Sequence, residues 1–126
     1  MTATELTQII DLYLAAWNEL NLDRRATVIA QVWDKEGRLI DPPLASSGHA
    51  GISEHISALH SQFPGHAFRR ASGIDSHNGF VRFAWELMTP QGTVAMTGMD
   101  VGELTPEGKL RRVTGFFGPL PELTKA

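Results

Sequence analysis

Apolar residues near the start of the chain recur at steps of three and four: Leu6, Ile9, Ile10, Tyr13, Leu14, Trp17 and Leu20. That spacing predicts an amphipathic helix capped by Thr4 or Thr7. A second helix is predicted from Asp23 and the pair Arg24-Arg25, with Val28, Ile29, Val32 and Trp33 on its buried stripe and Gly37 as its stop. Leu39 and Ile40 then form a short strand that Pro42 and Pro43 must end, because two prolines remove two ladder donors. Asp41 is thereby left at the strand's exit. A third helix begins near Gly48 and carries Ile52, His55, Ile56, Leu59 and Phe63 before Pro64 and Gly65 break it.

From His66 onward the period changes to two, over Phe68 to Ile74, Phe80 to Met88, Thr93 to Leu104 and Leu110 to Phe117. The breaks Ser76-His77-Asn78-Gly79, Thr89-Pro90-Gln91-Gly92 and Thr105-Pro106-Glu107-Gly108 have turn chemistry. Four consecutive antiparallel strands after three helices describe an α+β domain with the helices on one face of a curved sheet. No repeat, linker or low-complexity tract divides the chain, so residues 1–126 are expected to form one domain.

Composition narrows the function classes. The chain has 126 residues, 42% hydrophobic and 20% charged, which fits an ordinary folded domain and argues against disorder. A net charge of −3 and a pI near 5.9 give a field that repels polyanions, so nucleic acid is not an expected partner. With no cysteine there is neither a disulfide framework nor a thiolate site. No apolar run approaches the ~20 residues of a membrane span, and Met-Thr-Ala-Thr-Glu does not read as a signal peptide, so the cytoplasm is the expected location.

Three residues stand out chemically. Val94, Met96, Gly98 and Asp100 share one strand face by the two-residue period, which sets an acid on an apolar face. Such an acid is either protonated and donating a hydrogen bond or paired with an arginine such as Arg82 or Arg112; an inverted face would leave it solvated. Asp41 reads either as a rim carboxylate whose proton affinity is raised by apolar neighbours or as a turn aspartate before proline. Tyr13 lies on the buried stripe of the first helix, where its hydroxyl either serves a developing oxyanion or is a core tyrosine's polar tip.

The five histidines do not make a metal site, since His55 and His60 are five apart and diverge on a helix. His49 and His66 are expected to bond loop backbone. Glycine-rich phosphate loops and nucleophile elbows are absent from the sequence.

Helix, helix, short strand ending in Asp-Pro, helix and long meander resemble the NTF2-like superfamily, in its SnoaL-like and ketosteroid-isomerase-like branch, over nearly the whole chain. Tyr13-Leu-Ala-Ala-Trp17, Leu39-Ile40-Asp41-Pro42, Gly48 through Ile56, and Asp100 ahead of Thr105-Pro106-Glu107-Gly108-Lys109-Leu110 carry the likeness. The resemblance implies a cone-shaped fold closed by three helices around an apolar pocket. It also places Tyr13 on the isomerase's oxyanion tyrosine, Asp41 on its general base and Asp100 on its protonated acid.

Candidate wall residues of that pocket are Trp17, Trp33, His55, Leu59 and Phe63 from the helical part, and Phe83, Trp85, Met96, Val113 and Phe117 from the strands. The expected function is acid–base chemistry of isomerase or cyclase type, without a cofactor, on a small apolar carbonyl compound. The alternatives are a non-catalytic ligand-binding or protein-interaction domain, and epoxide hydrolysis by an activated water. Phe116, Phe117 and Pro119-Leu120-Pro121 would leave an apolar patch on the sheet, so a homodimer is expected.

Overall fold

The computed structural model of the protein describes residues 1–124. Helix α1 spans Ala3–Asn18, and its cap is Thr2 rather than Thr4 or Thr7. Thr2 and Glu5 close a reciprocal capping box, each side chain accepting from the other's backbone N–H at 3.1 Å. The helix stops at Asn18, short of Leu20, because the Asn18 side chain turns outward and exchanges two hydrogen bonds with the Phe68 backbone at 2.7 and 2.9 Å.

Helix α2 spans Leu22–Val32 with Asn21 as its cap, so it begins and ends earlier than the sequence pattern suggests. Gly37 is not its stop. Trp33 passes directly into strand β1, Trp33–Asp41, where Trp33, Gly37 and Leu39 are buried. The Trp33 ring lies over Gly37, whose missing Cβ leaves room for it. Lys109 Nζ donates to the carbonyls of Ala30 and Gln31, satisfying groups left free where α2 ends.

After the Pro42-Pro43 turn the chain folds back as β2, Leu44–Ser47, a strand the sequence pattern did not reveal. Helix α3, Gly48–Gln62, follows as expected. The strand expected over Phe68 to Ile74 stops at Arg70, as β3, Ala67–Arg70, and a separate short strand β4, Asp75–His77, takes in the first two residues of the expected turn; both pair with β5, Phe80–Met88. Between them the Ser72 hydroxyl accepts from the Ala84 N–H at 2.8 Å in place of a ladder carbonyl. The β4–β5 hairpin turns through Asn78 and Gly79, both at positive φ (49° and 80°), the conformation that makes Asn-Gly the favoured pair there.

Strands β6, Val94–Leu104, and β7, Leu110–Phe117, complete a seven-stranded sheet of order β2-β1-β7-β6-β5-β3, with β4 also on β5. The sheet is not a purely antiparallel meander, because β1 runs parallel to β7. Three helices packed on a curved, mixed sheet make this an α+β fold of NTF2-like form.

The core lies between helices and sheet, with Ile10, Ile29, Val32, Leu39, Ile52, Ile56, Leu87 and Leu110 almost wholly buried. Arg25, also buried, ties the corner between α1 and α2 to α3 by donating to Glu19 O at 2.9 Å, Ser53 O at 3.0 Å and Ser57 Oγ at 2.6 Å. No helix among the described residues is long and apolar enough to cross a membrane.

Leu39→Ala, which empties a fully buried site facing the helices, is expected to lose about 2–5 kcal/mol of stability. His77→Ala in the exposed hairpin should stay within about 0.5 kcal/mol of the parent. Denaturant midpoints measure both, and equal losses at the two positions would contradict the burial assigned to β1 and β4.

Candidate functional site

Strands β1, β7 and β6 lie side by side, with Ile40 level with Thr114 and Asp100 level with Gly115. Asp41, the next residue of β1, therefore joins a row across the sheet in the order Asp41, Gly115, Asp100. A Cβ placed on Gly115 would lie 2.5 Å from Asp41 Oδ1 and 2.9 Å from Asp100 Oδ1. Only a glycine leaves the gap in which the two carboxyl groups converge.

Asp100 is buried, and both its oxygens are occupied. Tyr13 donates its hydroxyl to Oδ2 at 2.8 Å, and the Trp85 indole N–H donates to Oδ1 at 3.0 Å. Neither arginine considered as a partner reaches it. Arg82 pairs with Asp75 at 2.9 Å and Arg112 with Glu103 at 3.6 Å, all on the more exposed side of the sheet.

Burial dominates the acidity of Asp100 and pushes its pKa up to about 7; the Asp41 charge adds to the rise, while the bonds from Tyr13 and Trp85 oppose it. Burial, followed by the Asp100 charge, holds the Tyr13 phenol well above its ordinary range. The Trp85 ring reaches Asp100 by lying on the bare backbone of Gly98.

Asp41 ends β1, where the Pro42-Pro43 turn begins. Burial raises its pKa to about 6, and its Oδ1 is buried with no hydrogen-bond partner. Its Oδ2 lies 3.8 Å from His55 Nε2, while His55 Nδ1 is 2.7 Å from Ser46 Oγ. Burial also lowers the pKa of His55, favouring the neutral ring.

Asp41 and His55 stand on the wall of a cavity of about 100 Å³. One side of it is a chain of edge-to-face rings, Trp17 to Phe68 at 5.1 Å, Phe68 to Trp85 at 5.2 Å and Trp85 to Phe117 at 5.8 Å. A recess of about 10 Å³ continues inward between Tyr13, Asp41 and Asp100, barely the room one water needs.

Most of the candidates named from sequence meet here. Tyr13, Asp41 and Asp100 converge, and Trp17, His55, Leu59, Phe63, Trp85, Met96 and Phe117 border the cavity. Trp33, Phe83 and Val113 do not: they are core. The Tyr13 ring packs on both Trp33 and Phe83 at 5.9 Å and covers them, and Val113 pairs with Leu39, one inward-facing step deeper than Asp41.

Phe68, Ser46 and Gly115 were not singled out as site residues. Glycines at inward-facing strand positions were the available signal for Gly115, whereas Ser46 belongs to the unforeseen strand β2. His49 and His66 bond the carbonyls of Trp33 and Pro64, both at 3.0 Å. His60 bonds the Trp17 carbonyl at 2.6 Å. Among the described residues, no three His, Cys, Asp or Glu side chains are grouped so that they could hold a metal ion.

No family model matches the chain, and no curated protein does. Solved structures do. A SnoaL-like family protein of Agrobacterium tumefaciens, named as a candidate isomerase, is 38% identical over 92% of this chain and 99% of its own, with a TM-score of 0.87. A protein of unknown function with a cystatin-like fold from Methylobium petroleophilum is 19% identical over 97% of this chain and 82% of its own, at a TM-score of 0.74. A SnoaL-like protein of Jannaschia sp., named as a candidate polyketide cyclase, is 13% identical over 90% and 85% of the two chains, at 0.70. The last two show likeness of fold alone.

The two buried acids set a pH dependence of stability. Because their pKa values rise on folding, the folded chain holds protons that the unfolded chain releases above pH ~4. Their contribution is therefore fully present below that pH and is lost as pH rises through about 6 and about 7. The stability difference between the parent and the double variant Asp41→Asn, Asp100→Asn should fall steadily from pH 4 to pH 8 in chemical denaturation; a difference independent of pH would contradict the raised values.

Proposed function

The chain belongs to the SnoaL-like family, and from that membership we propose that it is an acid–base catalyst of isomerase or cyclase type, acting with its own side chains on a small, mostly apolar carbonyl compound. The observation that carries this reading is the unpartnered, buried Oδ1 of Asp41 beside a second buried carboxyl group, at the inner end of an apolar cavity. A carboxylate there is short of hydrogen bonds, desolvated and near its midpoint at neutral pH, which is what a general base for a carbon acid requires.

In this reading Asp41 Oδ1 removes a proton from the carbon next to the carbonyl group. Asp100, kept protonated by burial and by the neighbouring charge, offers its proton to the oxygen on which negative charge develops. Tyr13 does not itself touch the substrate, because its hydroxyl is already engaged by Asp100 Oδ2. It acts as a positioning residue that orients the acid, as does Trp85 from the other oxygen.

The aromatic wall favours an apolar body. A volume of about 100 Å³ admits a molecule of a few carbon atoms rather than a fused-ring compound, well below the several hundred Å³ of pockets for larger ligands. The two acids, with no Arg or Lys on the wall among the described residues, disfavour carboxylate and phosphate substrates.

The test is exchange of the α-protons of small ketones and enones in heavy water. The parent protein should exceed the buffer rate, and Asp41→Asn should lose about 10²-fold or more of that excess. Exchange no faster than buffer, or unchanged by Asp41→Asn, would leave a binding protein without this chemistry.

A further inference from the structure

Asp41 Oδ1 faces inward, but Oδ2 faces a ring that leads outward. His55 Nε2 stands 3.8 Å from Oδ2, and on the far side of the ring Nδ1 is 2.7 Å from Ser46 Oγ. Ser46 is half-buried on β2, the outermost strand of the sheet. The three groups thus run from the inner end of the cavity to the sheet edge. The Trp17 ring, set edge-on to His55 at 5.7 Å, limits where the imidazole can turn.

A serine hydroxyl both donates and accepts, so it serves either neutral form of the ring. When Ser46 donates to Nδ1, the ring carries its proton on Nε2 and presents it to an ionised Asp41. When Ser46 accepts from Nδ1–H, the ring turns a lone pair toward a protonated Asp41. A movement of about 1 Å brings Nε2 and Oδ2 within hydrogen-bond distance.

We propose that His55 and Ser46 form a proton path linking Asp41 to solvent at the edge of the sheet, with His55 as the positioning residue that receives and returns the proton of the base. This rests on Asp41 as the proton-carrying group of the proposed reaction. In the outward step the Asp41 carboxyl group turns so that the oxygen that took up the proton faces His55, and its O–H bond breaks as Nε2–H forms. The Nδ1–H bond breaks as Ser46 Oγ–H forms, and the former hydroxyl proton passes to water. One proton enters the path and one leaves it, and His55 ends neutral in its other tautomer. The path lets a carboxyl group closed off by substrate regain its working charge without the cavity reopening.

Few other charged groups bear on His55. Asp100 and the Tyr13 phenol lie beyond Asp41 from β6 and α1. From α2, Arg25 reaches Ser53 and Ser57 on the opposite side of α3, and Glu54 on α3 itself is exposed.

The test follows the His55 ring nitrogens and the Asp41 carboxyl carbon by ¹⁵N and ¹³C NMR across pH 4–8, with Asp41→Asn used for assignment. The neutral tautomers of His55 should exchange dominance, by several-fold in their ratio, with the midpoint of the Asp41 carbon. Ser46→Ala should hold one tautomer throughout, and Ser46→Thr should restore the switch, a signature that mere packing of the ring would not produce. A single tautomer throughout the Asp41 titration in the parent, or a switch unchanged in Ser46→Ala, overturns the path while leaving Asp41 as a base. An Asp41 carbon with no midpoint above pH 5 overturns the base itself, and the path with it.

Discussion

The burial of two carboxyl groups within reach of each other constrains the rest of this structure. An ionised carboxylate in an apolar layer is costly unless it is fully hydrogen-bonded, and two side by side cost more. The fold meets that cost for one acid and leaves it standing for the other. Asp100 receives the Tyr13 hydroxyl and the Trp85 indole, one on each oxygen. Asp41 keeps a buried oxygen with no partner. In the proposed reaction Asp100 nevertheless holds its proton, because its deeper burial outweighs those two bonds, and Asp41 is the acid that exchanges protons with a ligand.

That arrangement depends on the topology of the sheet. Asp41 and Asp100 sit on strands that do not pair with each other, and they meet because β7 runs between β1 and β6 with a glycine in the shared row. The parallel pairing of β1 with β7 is therefore a requirement of the site as well as a feature of the fold. Gly98 does for Trp85 what Gly115 does for the carboxyl groups, admitting a large ring against the backbone so that its N–H reaches Asp100. The helices close the other side: α1 brings Tyr13 and Trp17, α3 brings His55 and Leu59, and Phe63 follows at the cap of α3.

Much of this was legible along the chain because it is local. The two-residue period assigned Asp100 to the inner face of β6, and the prolines after Asp41 marked the strand exit. The Asn-Gly pair fixed the β4–β5 turn, and the three- and four-residue spacing found all three helices. What escaped depends on contacts between distant segments. The run from Trp33 to Gly37 continues a helical pattern but is claimed by the sheet, where Trp33, Gly37 and Leu39 are buried beneath the helices. Strand β2 is too short and too polar to read as one before its partner is known. Trp33, Phe83 and Val113 have the residue types of a pocket wall, yet Tyr13 covers the first two and the third sits one step deeper. No local pattern announces that Gly115 would separate two acids, since that fact belongs to the register of three strands.

The central claim, that one of these acids is ionised while the other stays protonated near neutral pH, is tested most directly by following the carboxyl carbons of Asp41 and Asp100 across pH 3–9 by ¹³C NMR, with Asp41→Asn and Asp100→Asn assigning the two signals. The account predicts two separate midpoints, near 6 for Asp41 and near 7 for Asp100, that of Asp100 moving downward when Asp41 is replaced. Two independent midpoints in the ordinary carboxylate range, about 4, would contradict it.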